Sequence, residues 1–248
     1  MFLEVENLSK TYTDKKFFGE NKFNALSGVS FSMKEGESLS VIGGSGSGKT
    51  TLGRTISKLL DFDSGSVKYS GRDIKSYNID EFSGIVQMIF QNPYASFNPK
   101  LKIKSSLLEA FGVEKPINAD SIIEETLKSA GLENKILDNF PHQFSGGQRQ
   151  RIAVARALIK KPKLIVADEP FASLDVYSQN SIAGIFEDIK NTGVSIILIT
   201  DDIAAAVKFS DRMIIMNEGK IIKDDSAENI FKEKENAYIT DLLSSMEL

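Results

Sequence analysis

The stretch that decides the fold reads Gly43-Gly44-Ser45-Gly46-Ser47-Gly48-Lys49-Thr50-Thr51. An alternating apolar run ends just before it at Ile42, and apolar residues at helical spacing follow it, beginning with Leu52 and Ile56. The order of strand, glycine-rich loop and helix matches the phosphate-loop pattern G-x-x-x-x-G-K-[ST]. Because glycines let the backbone wrap closely, successive N–H groups can point at phosphate oxygens beside the positive end of the helix dipole. The stretch is therefore a candidate nucleotide-binding loop.

Two side chains of this loop have predicted roles. Lys49 is expected to neutralise β- and γ-phosphate oxygens, and Thr50 is expected to supply a hydroxyl to Mg²⁺, a cation that prefers oxygen ligands. The alternative is a flexible Gly/Ser loop that contains a lysine by chance. The strand-to-helix context favours the functional interpretation.

A second candidate element follows the apolar run from Leu164 to Ala167, where Asp168 and Glu169 come next. Ligands of open α/β sheets bind at the carboxyl ends of the strands. We expect Asp168 to hold Mg²⁺ through water, and Glu169 to orient and polarise the attacking water. Taken alone, these residues would be read as a solvated acidic strand end. Because the chain also contains the phosphate loop, a functional role for the two carboxylates is the better interpretation.

The composition is that of an ordinary globular protein. Of the 248 residues, 41% are hydrophobic and 26% are charged. The 30 basic residues against 34 acidic ones give a formal net charge of -4, so no nucleic-acid partner is expected. Cysteine is absent and there is one histidine, which excludes disulfides, thiolate zinc sites, iron–sulfur clusters and multi-histidine metal sites.

The periodicity of apolar residues predicts an α/β protein. Roughly the first 90 residues read as strands, the segment between Gln91 and Pro162 reads as a helical insertion, and the remainder alternates strand and helix. Ser121 and Glu124 predict a capping box that opens a helix from Ile122 to Ala130. The stretch from Tyr238 to Leu248 predicts a terminal helix. No apolar run approaches the roughly 20 residues of a membrane-spanning helix, and the start lacks a signal-peptide profile, so a cytoplasmic location is expected.

A third motif, Phe144-Ser145-Gly146-Gly147-Gln148, is followed by Arg149-Gln150-Arg151. Here the sequence resembles the ATP-binding subunits of ABC transporters, and the resemblance covers nearly the whole chain. It implies one P-loop NTPase domain of ABC type over residues 1-248, with a mixed-sheet core and an antiparallel β subdomain. Residues 1-91 and 161-248 would form the RecA-like core with the β subdomain, and residues 92-160 the helical subdomain.

The resemblance also implies roles for three further residues. Tyr12 would stack on adenine, although an aromatic at a strand end could simply pack. Gln91 would sense Mg²⁺ and the attacking water at the junction with the helical subdomain, although it could equally be a surface turn residue. Asp175, in Ser173-Leu174-Asp175, would lie in the loop that crosses a dimer interface.

The residues Ser145, Gly146, Gly147 and Gln148 open a helix and form a second candidate anion site. Since the chain already has a phosphate loop, this helix end is expected to close over ATP held by a second ABC ATPase subunit, identical or different. The stretch from Phe90 to Pro99 and the residues from Pro141 to Phe144 resemble the dipeptide, oligopeptide and nickel importer branch. That branch implies two transmembrane permease subunits, an extracytoplasmic substrate-binding protein and a position on the inner face of the cell membrane.

Asp201 departs from the family pattern, because it stands where the family ordinarily has a histidine that contacts the γ-phosphate and helps to fix the attacking water. An ionised aspartate offers only acceptors. Slow hydrolysis at this chain's own site is therefore expected. Three explanations of this residue compete, namely an asymmetric pair of ATPase subunits, an Asp201 that keeps a proton and donates after all, and an engineered substitution. Two other functions stay open, namely an ABC-type ATPase of DNA repair or translation, and a regulatory subunit that binds ATP with little turnover.

Overall fold

The computed structural model describes residues 1–15, 20–232 and 238–240. The chain divides into two compact units, one formed by Met1–Asn78 and Ser195–Leu248 and the other by Ile79–Val194. None of the helices in these described ranges is both long and apolar enough to span a membrane.

In chain order the strands and α-helices are β1 (Leu3–Lys15), β2 (Glu20–Met33), β3 (Ser38–Ile42), α1 (Lys49–Ile56), β4 (Ser64–Tyr69), β5 (Arg72–Asp73), α2 (Ile79–Ser83), β6 (Val86–Ile89), α3 (Ile103–Glu109), α4 (Ala119–Ser129), α5 (Gly146–Leu158), β7 (Leu164–Asp168), α6 (Val176–Asn191), β8 (Ser195–Thr200), α7 (Ile203–Phe209), β9 (Arg212–Asn217), β10 (Lys220–Ser226) and α8 (Ala227–Phe231). The predicted α/β class is confirmed.

The first unit contains an antiparallel sheet with the strand order β2-β1-β4-β5. Leu3 of β1 lies opposite Met33 of β2 and Tyr69 of β4, and all three side chains are buried. This pairing places the alternate apolar residues of β1 on the core face, as expected for a sheet with one buried side. The predicted antiparallel subdomain is therefore present.

The same unit contains four further strands in the order β10-β9-β3-β8. β3 runs parallel to both β8 and β9, and β10 is antiparallel to β9. Every residue of β3 and β8 is buried, which explains the nearly continuous apolar sequence of β8. In β3 the buried hydroxyls of Ser38 and Ser40 hydrogen-bond with Asp211 and Ser210. β3 ends at Ile42, and the phosphate loop begins at the next residue.

The second unit contains the parallel pair β6 and β7 together with the helices α2 to α6. Its helical core packs Leu107 of α3 against Ile123 and Leu127 of α4 and Ile152 of α5. Burial of these apolar side chains is the main force that holds the short helices together.

The predicted capping box at Ser121 and Glu124 is wrong. Helix α4 begins at Ala119, after Asn118, which makes no side-chain cap hydrogen bond. Ala119, Ile123 and Leu127 form one buried stripe at a spacing of four residues, so the packed face begins a turn earlier than the polar motif suggested.

The terminal helix predicted from Tyr238 to Leu248 is described only in part. Tyr238, Ile239 and Thr240 are helical, and residues 241–248 lie outside the described residues. Ile239 is buried in a cluster that includes Ile42, Ile215 and Ile230.

Candidate nucleotide-binding site

The predicted site residues are distributed over the two units. The first unit holds Tyr12, the loop at residues 43–51 and Asp201. The second unit holds the remaining predicted site residues, which are Gln91, Ser145, Gly146, Gly147, Gln148, Asp168, Glu169 and Asp175.

The phosphate loop lies between β3 and α1 and requires glycine at two positions. Gly43 has a φ of +154°, and a Cβ there would overlap the carbonyl oxygen of Met216. Gly48 has a φ of +104°, and a Cβ there would overlap the carbonyl oxygen of Ala25. The loop therefore packs too closely against neighbouring backbone for a side chain at either position.

Lys49 is the first residue of α1, and its side chain folds back over the loop. The residue is 8% exposed, and its Nζ donates to the carbonyl oxygens of Gly43 at 2.5 Å and Gly44 at 3.1 Å. These hydrogen bonds place the positive charge beside the backbone that the sequence predicts to bind phosphate.

Several donors of the loop make no hydrogen bond to any other described residue. The backbone N–H groups of Ser45, Gly46 and Gly48 are of this kind, whereas the N–H of Ser47 donates to the Gly44 carbonyl at 3.2 Å. The Ser47 hydroxyl is buried and also lacks a partner in the described part of the chain. Ser45 and Gly46 are exposed, so their N–H groups are open to solvent, and together with the Gly48 N–H and the buried Ser47 hydroxyl they offer donors whose sign suits an anion.

The two carboxylates predicted at the end of β7 differ in environment. Asp168 is the last residue of the strand and is 2% exposed. Glu169 is half-buried and has a φ of 47°, in the left-handed region that non-glycine residues rarely adopt. Such a conformation costs about 1–3 kcal/mol and is often found at functional sites.

Helix α5 begins with the predicted motif. Ser145 is its N-cap and accepts a hydrogen bond from the Gln148 N–H at 3.3 Å, while the Gln148 side chain accepts from the Ser145 N–H at 3.0 Å. This capping box satisfies two donors at the helix start. Both side chains are exposed, so the start of the helix is accessible to solvent in this chain.

Asp175 is the N-cap of α6. Its carboxylate accepts from the Ser178 hydroxyl at 2.7 Å and from the Ser178 N–H at 2.9 Å. The hydrogen bond from the Ser178 side chain, followed by the one from its backbone, lowers the pKa of Asp175 below its ordinary value. Sequence reasoning missed Ser178, although its spacing from Asp175 is that of an N-cap and its N3 residue.

Ser178 also explains why residue 147 is glycine. A Cβ at Gly147 would lie 2.6 Å from the Ser178 Oγ and 2.8 Å from its Cβ. The start of α5 therefore approaches α6 more closely than alanine would allow.

Gly147→Ala is expected to lower the free energy of unfolding by about 1–3 kcal/mol, because the added methyl group overpacks the contact with Ser178. Urea denaturation measures this change. Gly184→Ala in α6 is the matched control, since a Cβ there meets nothing within 4 Å and alanine should stabilise the helix. Equal stability of the two variants would contradict the packing argument.

Gln91 is exposed and follows β6 closely along the chain. Nearby, the guanidinium of Arg149 lies 3.9 Å from the centroid of the Tyr94 ring, and its NH1 donates to the Phe144 carbonyl at 2.6 Å. This cation–π contact ties the stretch after Gln91 to the start of α5. Sequence reasoning missed the pair, because no local pattern links Tyr94 with Arg149.

The remaining predicted site residues, Tyr12 and Asp201, both have exposed side chains. Tyr12 lies in β1 opposite Phe23 of β2 and is 40% exposed. Asp201 follows β8, and its carboxylate makes no hydrogen bond or ion pair within the described part of the chain. The next residue, Asp202, has a structural role, because it caps α7 by accepting from the Ala205 N–H at 2.9 Å.

Comparisons with known proteins agree with this fold and loop. Residues 26–172 match the family described as ABC transporter. The oligopeptide transport ATP-binding protein OppF of Streptococcus mutans is 36% identical and aligns over 98% of this chain and 81% of its own length. The dipeptide transport ATP-binding protein DppF of Lactococcus lactis is 37% identical, with coverages of 98% and 80%.

Two solved structures are also similar. The ATP-binding cassette MJ0796 in a dimeric, post-hydrolysis state with ADP and Pi gives a TM-score of 0.79 at 29% identity, covering 91% of this chain and 98% of that one. CbiO1 of Clostridium perfringens, part of the ABC transporter complex cbiONQ, gives 0.80 at 26% identity, with coverages of 100% and 99%. The fold and these matches define an ATP-binding, ATP-hydrolysing transporter subunit. The chain belongs to the ABC transporter family.

Proposed function

We propose that this chain is the motor subunit of an ABC importer for peptides, and that it binds ATP at the loop from Gly43 to Thr51. The observation that carries the nucleotide site is the set of unpaired loop N–H groups beside the Lys49 ammonium. The peptide cargo rests on relatives that are named for oligopeptide and dipeptide transport. These relatives favour peptides over nickel as the cargo.

In this proposal the loop binds the phosphates through its free amides, and Lys49 neutralises the β- and γ-oxygens. Thr50 would contribute a hydroxyl and Gln91 an amide oxygen to Mg²⁺, and the Asp168 carboxylate would hold the ion through water. These are hard oxygen donors, the ligand type that Mg²⁺ requires. Bound Mg²⁺ would offset negative charge on the β- and γ-phosphates.

Glu169 is proposed as the group that orients the attacking water and takes up its proton. Its left-handed backbone turns the chain away from the strand direction at this residue. Water attack at the γ-phosphorus breaks the bond to the β–γ bridging oxygen and yields ADP and phosphate, with the proton passing to the Glu169 carboxylate.

The exposed start of α5 supports a nucleotide-sandwich dimer. Ser145 and Gln148 would contact ATP bound to a second ATPase subunit, together with the amides of Gly146 and Gly147. Tyr12 would stack on the adenine, and Asp175 would lie at the dimer interface. Hydrolysis would then loosen the dimer, because ATP forms part of the contact surface.

Two permease subunits and an extracytoplasmic substrate-binding protein complete the proposed importer, and this chain would dock at the cytoplasmic face of the membrane. We propose the domain arrangement predicted above, with residues 92-160 as the helical subdomain. A regulatory subunit with little turnover is the second candidate, and the carboxylate at Asp201 favours it.

Lys49→Ala tests the nucleotide site. We expect the affinity for ATP to fall tenfold or more, measured by isothermal titration calorimetry, because the loop loses its positive charge. Lys58→Ala is the control, since the Lys58 ammonium also donates to a backbone carbonyl, that of Tyr77, but lies outside the loop. Wild-type affinity in Lys49→Ala would refute the assignment.

A further inference from the structure

Tyr238, near the end of the described chain, contacts the phosphate loop directly. Its hydroxyl accepts a hydrogen bond from the Gly44 N–H at 2.9 Å and donates one to the Met216 carbonyl at 3.4 Å. The phenol thus bridges the second residue of the loop and the end of β9.

Packing fixes the position of this tyrosine. The next residue, Ile239, is 1% exposed and lies in the apolar cluster that contains Ile42, Ile215 and Ile230. Ile42 is the last residue of β3, directly before the loop. The side chain of Tyr238 packs against the same cluster, so its ring is anchored and only its hydroxyl reaches Gly44.

The end of β9 and the turn that follows it support the loop as well. The N–H of Gly219 donates to the Ser47 carbonyl at 3.0 Å, and Gly43 packs against the Met216 carbonyl. Neighbouring parts of the chain therefore contact the loop at its beginning and its middle. The hydrogen bond at Gly44 comes from a side chain, so a substitution can remove it without changing the backbone.

We propose that Tyr238 is a positioning residue that holds the phosphate loop in its binding conformation. Its hydroxyl satisfies the Gly44 N–H, while the N–H groups of Ser45, Gly46 and Gly48 stay available for phosphate. A loop that is already ordered loses less conformational entropy when it binds, which raises its affinity. The inference rests on the proposed nucleotide site.

Tyr238→Phe removes the hydroxyl and keeps the ring in the apolar cluster. We expect the Kd for ATP and for ADP to rise three- to tenfold, while kcat at saturating ATP stays within twofold, because only loop positioning is affected. Tyr77→Phe is the matched control, since its hydroxyl donates to a backbone carbonyl, that of Tyr69, at 3.3 Å elsewhere in the same unit. That variant should lose stability without losing affinity.

Hydrogen exchange gives a second readout. Coupling between the loop and Tyr238 must be reciprocal, so ATP should slow amide exchange at Ile239 and Thr240 in the wild type and have a smaller effect in Tyr238→Phe. Unchanged Kd values and equal protection in both proteins would overturn the inference. If Lys49→Ala weakens binding and Tyr238→Phe does not, this inference alone fails; if neither does, the nucleotide site fails with it.

Discussion

Glu169→Gln should lower the rate of ATP hydrolysis by about 100-fold or more while leaving the affinity for ATP within about threefold. A general base contributes roughly 10²–10⁴-fold to a rate, and the neutral amide of glutamine cannot take the proton from water. Glutamine has nearly the same size and hydrogen-bonding reach, so binding of the nucleotide should survive. Steady-state phosphate release and titration calorimetry measure the two quantities separately.

The same variant should accumulate as a dimer in the presence of ATP, because the step that loosens the nucleotide sandwich is blocked. Size-exclusion chromatography with light scattering would detect the dimer, and it should disappear without nucleotide. Rapid hydrolysis by Glu169→Gln would remove Glu169 from the mechanism.

Glu218→Gln is the control for this experiment. Glu218 has a φ of 48°, almost the same backbone conformation as Glu169, and it is exposed in the turn between β9 and β10. The substitution removes the same charge from the same backbone conformation, so hydrolysis by this variant should match that of the wild type.

The parts of the site that sequence could predict are local. The phosphate loop, the end of β7 and the start of α5 are each defined by consecutive residues, and each lies at the strand or helix end that its motif predicted. The conformational freedom of glycine, helix capping and the apolar composition of buried strands are local properties, and they are sufficient to locate these elements.

The parts that sequence missed depend on packing between distant residues. Gly44 and Tyr238 are 194 positions apart, and no local pattern predicts that a phenol will reach the loop. The close approach of Gly147 to Ser178 likewise follows from how α5 packs on α6. The left-handed φ of Glu169 was also missed. Non-glycine residues disfavour this conformation locally, so only the surrounding structure can enforce it.

Asp201→His should raise the rate of single-turnover ATP cleavage by about 30-fold. Within the described residues the Asp201 carboxylate has no ion pair or hydrogen bond, so no cation of this chain neutralises it there. Two like charges about 4 Å apart repel by roughly 4 kcal/mol at an effective dielectric of about 20. If bound Mg²⁺ and solvent offset half of that near the γ-phosphate, about 2 kcal/mol remains, which corresponds to about 30-fold in rate.

Asp201→Asn distinguishes the two expected causes of slow cleavage, which are charge repulsion and the lack of a hydrogen-bond donor. Asparagine removes the charge and supplies an amide donor on a shorter side chain, so it should recover part of the rate, whereas histidine should recover more. Asp61→His, at an exposed aspartate in the loop after α1, makes the same exchange away from β8 and should leave the rate unchanged.

The outcome also decides between the two proposed roles of the chain. In an asymmetric pair, the wild-type homodimer is slow and Asp201→His restores cleavage, because the phosphate loop and Glu169 are intact and lack only a donor. In a regulatory subunit, turnover would be limited by further residues besides Asp201, so this substitution alone would not restore it. Equal rates in the wild type and Asp201→His would therefore refute the account of Asp201, and if both are slow, the regulatory function becomes the better proposal.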